Sequence, residues 1–127
     1  MADRFRFPRG RRLRKRREFL LVQGRGRRVG GRHFQFFVLR RAETATTNVA
    51  AAARFGITVT RKVGNAVARN RIKRIVREGC RHAPQLFPRG IDVVVLARGS
   101  AIGARTADFA GELADLAKRL GSSGASR

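Results

Sequence analysis

Apolar residues recur with two different periods along this chain, and the two periods mark out its elements. Between Arg32 and Leu39 they alternate, with Phe34, Phe36 and Val38 pointing one way and Gln35, Phe37 and Leu39 the other. Phe55 to Thr60 alternates as well: Phe55, Ile57 and Val59 face a core, and Gly56, Thr58 and Thr60 lie opposite. Ile91 to Ala97 is apolar almost throughout, as expected of a central strand covered on both faces, and Pro88-Arg89-Gly90 is a loop leading into it. A short strand is expected around Arg27 to Val29, ahead of a Gly30-Gly31 turn.

The helical period appears in three other places. Lys15 to Gln23 carries Phe19, Leu20 and Val22 at roughly helical spacing, with Leu13 flanking and Gly24 and Gly26 as stop signals. Wound from Asn65 at about 100° per residue, the middle helix puts Ala68, Ile72, Ile75, Val76 and Gly79 on one stripe. Gly64 makes the turn into it, Asn65 can cap it, and the helix should run to about His82, where Pro84 stops it. Ala107 to Leu120 forms the last helix, with Phe109, Leu113, Leu116 and Leu120 on its apolar stripe. Its Asp108 and Glu112 lie early and Lys118 and Arg119 late, as the helix dipole prefers, and Gly121 should end it.

The element order is therefore α-β-β-β-α-β-α, an α+β fold with a small mixed four-stranded sheet packed against helices. Residues 1–14 read as a flexible basic arm, 15–120 as one domain and 121–127 as a disordered tail, with the Ala/Thr-rich stretch Ala42 to Ala53 a loop between strands. A chain of 127 residues can bury one modest core without disulfides. The single Cys80 has no partner for an internal bridge, and the chain carries neither an apolar signal segment nor a run long enough to span a bilayer, so a cytoplasmic protein is expected.

Charge narrows the function more than the fold does. Thirty Lys and Arg against eight Asp and Glu give a net charge of +22, which points to nucleic acid before an anionic membrane surface. On the middle helix, Asn70, Lys73, Arg74, Arg77 and Arg81 crowd the side opposite the apolar stripe, while Arg69 and Arg71 fall on its shoulders. Cations three and four residues apart repel, and only Glu78 relieves them, so this face suits an external polyanion. Arginine forks fit phosphate oxygens and base edges.

The run Arg61-Lys62-Val63-Gly64-Asn65-Ala66-Val67-Ala68-Arg69-Asn70-Arg71-Ile72-Lys73-Arg74 resembles the signature of the protein subunit of bacterial ribonuclease P. The resemblance extends more loosely from about Leu13 to Leu120, through Phe19-x-x-Val22-x-x-x-Gly26 and the strand Asp92 to Arg98. It implies a ribosomal protein S5 domain 2-like fold with a left-handed βαβ crossover around the basic helix. It also implies a protein that joins a catalytic RNA in removing the 5′ leader of precursor tRNA, the active site and its Mg²⁺ belonging to the RNA and substrate. By the same resemblance Arg69, Asn70, Arg71, Lys73, Arg74 and Arg77 meet the ribonuclease P RNA, and Arg61 and Lys62 are basic positions leading into them. Phe19 and Phe37 match aromatic positions of a cleft for the single-stranded leader, where stacking on rings beside a basic rim would grip it. Gln23 stands where many relatives have another aromatic, and Phe37 lacks the hydroxyl of a tyrosine common there.

A self-sufficient nuclease would need an acid-base pair or a carboxylate cluster for metal. The eight carboxylates are scattered, the last four in places that helix-end or surface roles explain, and Cys80 and His82 lack further ligands at metal spacing. The expectation is a chain that binds RNA without cutting it, with no catalytic or metal-ligating residue of its own and no protein oligomer. A structural RNA-binding protein shares the charge and size, and the length of the motif argues against it. A DNA-binding regulator would need a second helix ahead of the basic one, where Phe55 to Thr60 reads as strand.

Overall fold

The computed structural model describes residues 13, 16–40, 53–81 and 87–125, with side chains followed as far as Leu120. The elements run α1 (Arg16–Arg25), β1 (Arg27–Gly30), β2 (Phe34–Arg40), β3 (Arg54–Thr58), α2 (Ala66–Arg81), β4 (Ile91–Ala97) and α3 (Thr106–Ala125). Single 3-10 turns occupy Arg61–Val63 and Gly99–Gly103. Most of the arm expected at the start, the loop after Arg40, His82 and the Pro84 stop lie outside the described residues.

The four strands form one sheet in the order β1-β2-β4-β3. β2 pairs antiparallel with both β1 and β4, whereas β3 runs parallel to β4 and reaches it through α2. β4 is thus central, as its apolar run predicts, and the order α-β-β-β-α-β-α holds. Alternation sorts the strand side chains to two layers. Phe34, Phe36, Val38, Phe55, Val93 and Val95 join Ile72, Ile75, Val76 and Cys80 of α2 and Phe109, Leu113, Leu116 and Leu120 of α3 in the larger core. On the other face Phe37, Leu39 and Val94 meet Leu13, Val22 and Phe19 beneath α1. Phe109 stands edge-on to Phe34 with centroids 4.9 Å apart. It also lies against Gly79, where a Cβ would run into its ring, so the glycine on the α2 stripe is what lets α2 and α3 approach. Burial pushes the Cys80 thiol well above its ordinary pKa, so it is an inert core group.

Two differences from the expected boundaries have a common cause. Gly24 lies inside α1, and α3 passes Gly121 to end at Ala125. Glycine stops a helix by adopting a left-handed conformation, and Gly90, with φ 80°, is the only glycine among the described residues to do so. Elsewhere it merely weakens the helix.

The carboxylates also depart from expectation, for Asp92 and Glu112 hold the fold together rather than decorating its surface. Asp92, 5% exposed, sits beside Arg54 across the β3/β4 pairing. Arg54 Nε donates to Asp92 Oδ1 at 2.9 Å and Nη2 to Oδ2 at 2.8 Å, while Nη1 reaches Glu18 Oε2 of α1 at 3.3 Å. Hydrogen bonding to Asp92 above all raises the Arg54 pKa, against the opposing effect of burial. Glu112 of α3 accepts from the backbone N–H of His33 at 3.1 and 3.0 Å and from that of Phe34 at 3.1 Å, fixing the β1–β2 turn. Asp108 does take the helix-end role foreseen for it, accepting from the Arg105 N–H at 2.8 Å.

Asp92 accepts the two shortest hydrogen bonds of the Arg54 guanidinium and Glu18 only a longer one, so Asp92→Ala should destabilise the protein by about 2 kcal/mol in urea unfolding monitored by circular dichroism. A loss below about 1 kcal/mol would show that the pair is only a surface-grade contact.

Candidate nucleic-acid interface

The basic surface begins where β3 ends. Thr60 leads into the 3-10 turn Arg61–Val63, which buries Val63 and leaves Arg61 and Lys62 exposed. Asn65 then caps α2 as its position predicts, its Oδ1 accepting from the Ala68 N–H at 2.9 Å. With Ile72, Ile75, Val76 and Cys80 drawn into the core, Asn70, Arg71, Arg74 and Arg77 are carried on the exposed side of the helix and Lys73 is half-buried at its margin.

The shoulder residues are held more firmly than a helical wheel specifies. Arg69 Nε donates to the Gly64 carbonyl at 3.2 Å, closing back over the turn that starts the helix. Arg71 Nη2 donates to the Ala104 carbonyl at 2.8 Å and Nη1 to that of Ile102 at 3.3 Å, tying α2 to the 3-10 turn Gly99–Gly103 and the residue after it. A guanidinium has five donors, so these bonds orient Arg71 and still leave N–H groups for a phosphate. Arg81, at the end of the helix, pairs with Glu78 at a contact of 2.6 Å. The eight expected RNA contacts, Arg61, Lys62, Arg69, Asn70, Arg71, Lys73, Arg74 and Arg77, thus belong to one continuous segment of turn and helix.

Phe19 and Phe37 lie together on the other face of the sheet. Phe19 is half-buried, its ring so close over Gly56 that a Cβ there would overlap it. Phe37 is 6% exposed, held among the side chains beneath α1. Its cross-strand partner is Arg28, whose guanidinium carbon lies 5.7 Å from the Phe37 ring centroid. Sequence reasoning missed Arg28, and the strand register was the signal that could have found it, since directly opposed residues share a face. Gln23, beside the buried Val22 on α1, is half-buried.

Among the described residues, no three His, Cys, Asp or Glu side chains gather where they could hold a metal ion. His33 is turned to Ser100, Nδ1 to Oγ 3.0 Å. The described part of the interface therefore offers N–H donors for phosphate beside apolar surface.

Known proteins match most of the chain. A family model described as Ribonuclease P matches residues 7–121. A curated relative named Ribonuclease P protein component, from Desulfovibrio desulfuricans, is 42% identical over 113 residues, which is 89% of this chain and 82% of its own. Another of the same name, from Gluconacetobacter diazotrophicus, is 39% identical over 126 residues, 98% of this chain and 99% of its own. The solved RNase P protein of Thermotoga maritima superposes with a TM-score of 0.71 at 33% identity, over 86% of this chain and 96% of that one. That of Staphylococcus aureus gives 0.71 at 29% identity, over 86% and 94%. Spanning the basic segment and the surrounding fold alike, this agreement places the chain in the ribonuclease P protein family.

Proposed function

We propose that this chain binds the catalytic RNA of ribonuclease P through its basic segment, and the single-stranded 5′ leader of precursor tRNA through the face that carries Phe19 and Phe37. The RNA then removes the leader and leaves the mature 5′ end. The observation that supports this best is the exposed row Asn70, Arg71, Arg74 and Arg77 on α2, whose opposite stripe packs into the core, continued by Arg61 and Lys62 on the turn before it. Such a row neutralises phosphates where two polyanions approach and releases their counterions. Magnesium is assigned to the RNA and substrate. Of the described carboxylates, Asp92 is already engaged by Arg54 and Glu112 by backbone N–H groups, so these two do not suit it as ligands. On this reading the chain alone does not cut, binds through the 15–120 domain, and acts in the cytoplasm.

Three measurements check the proposal. Precursor tRNA at low millimolar Mg²⁺ should be cut efficiently at the mature 5′ end only by a mixture of the protein with a bacterial ribonuclease P RNA. A mixture no better than the RNA alone, with tight RNA binding retained, would favour a purely structural RNA-binding role. Arg74→Ala should weaken binding to that RNA and reduce the slope of log affinity against log salt by about one unit. Phe37→Ala should reduce the preference for precursor over mature tRNA while leaving affinity for the ribonuclease P RNA nearly intact, and an unchanged preference would remove Phe37 from the leader face.

A further inference from the structure

The described residues include three large apolar side chains that stand well out into solvent, and two of them border the basic segment: Val67 is 78% exposed and Ile102 51%. Isolated exposed aliphatics are ordinary on protein surfaces. These two are joined through Arg71. It follows Val67 by four residues on the exposed side of α2, and Gly64 stands in the turn before the helix, three residues ahead of Val67. Ile102 lies against both of them: its Cδ1 would be 3.2 Å from a Cβ on Gly64, and its carbonyl accepts from Arg71 Nη1 at 3.3 Å. Arg71 also holds the Ala104 carbonyl at 2.8 Å, and Ala101 and Ala104 on either side of Ile102 are buried. The turn Gly99–Gly103 is therefore held to α2 at its C-terminal end, with Ile102 presented outward across Arg71 from Val67.

We propose that Val67 and Ile102 form an apolar knob within the basic surface, which packs against an unstacked base or a ribose of the ribonuclease P RNA. This rests on the RNA-binding reading above and extends it to residues without charge. Charge complementarity selects the occupant. Arg61, Lys62, Asn70, Arg71 and Arg74 are exposed on the segment that bears Val67, so a polyanion is drawn to the patch first. Duplex RNA would offer the knob only phosphates and grooves, whereas a looped-out nucleotide offers an apolar ring face between flanking phosphates. The phosphates would meet the guanidinium groups and the ring the two aliphatic side chains. The second arginine of the Arg69-Asn70-Arg71 motif thereby gains a positioning role, since it holds the turn that carries Ile102.

The test is equilibrium binding of the full chain to a bacterial ribonuclease P RNA over a salt series, comparing wild type, Val67→Ala/Ile102→Ala and Arg74→Ala. Both knob side chains are exposed, so the double variant should melt like wild type. It should bind about tenfold more weakly at every salt concentration with an unchanged slope, because apolar contact is lost and no counterion is retained. Val67→Ala alone, at a helical position where alanine is favoured, should lose about threefold and guards against a loosened Gly99–Gly103 turn. Arg74→Ala should instead flatten the slope. Wild-type affinity in both knob variants overturns the proposal, leaving the patch to a protein partner, while the RNA-binding reading survives through Arg74→Ala. If wild type itself fails to bind the RNA, both readings fall.

Discussion

Everything on the cationic side follows from how α2 is buried. Ile72, Ile75, Val76 and Cys80 are taken out of water by the sheet and α3, and a rigid 3.6-residue repeat leaves the cations of the same helix nowhere to go but outward. Neighbouring arginines would repel less if the helix could roll or fray. The core forbids rolling, Asn65 fastens the first turn, and Gly79 against Phe109 sets how closely the helix beds on α3. The charged face is therefore preorganised, and the unfavourable repulsion on it is held by apolar burial until a polyanion relieves it.

A second level of organisation is polar and long-range. Arg54 gathers Glu18 of α1, its own strand β3 and Asp92 of β4 into one ion-paired group on the face that also bears Phe37. Glu112 ties α3 to the β1–β2 turn, and Arg71 ties α2 to the turn before α3. In each case a charged side chain is spent on fixing backbone or strand geometry within a chain whose net charge otherwise serves binding. Among the described residues, Glu18, Asp92 and Glu112 stand where the fold needs a counter-charge or an acceptor.

Much of this was legible in the order of residues. The two-residue period of Phe34 to Leu39 correctly separates Phe37 from Phe34 and Phe36, and the helical period around Asn65 to Arg81 correctly divides core from cationic face. Periodicity reports direction and not depth, so it could not say that Phe37 is nearly covered, or that Arg28 lies over it. The single turns at Arg61–Val63 and Gly99–Gly103 are too short to show a period at all. Bonds such as those of Glu112 to His33 and Phe34, or Arg71 to Ala104, join residues far apart in the chain and exist only once the layers have packed. The RNA-facing assignment of α2 rests on its charge and on the Arg61 to Arg74 motif.

Tethered hydroxyl-radical cleavage tests that assignment most directly. Single cysteines introduced by Asn70→Cys on the exposed side of α2, or by Asp115→Cys on the exposed side of α3, can each carry an iron chelate while the buried Cys80 stays unmodified. In complex with a bacterial ribonuclease P RNA, the chelate at position 70 should cut that RNA at a few discrete sites and the chelate at position 115 should leave it intact. Strong cleavage from position 115 with none from position 70 would contradict the account, because it would put the RNA against α3 and leave the cationic face of α2 in solvent.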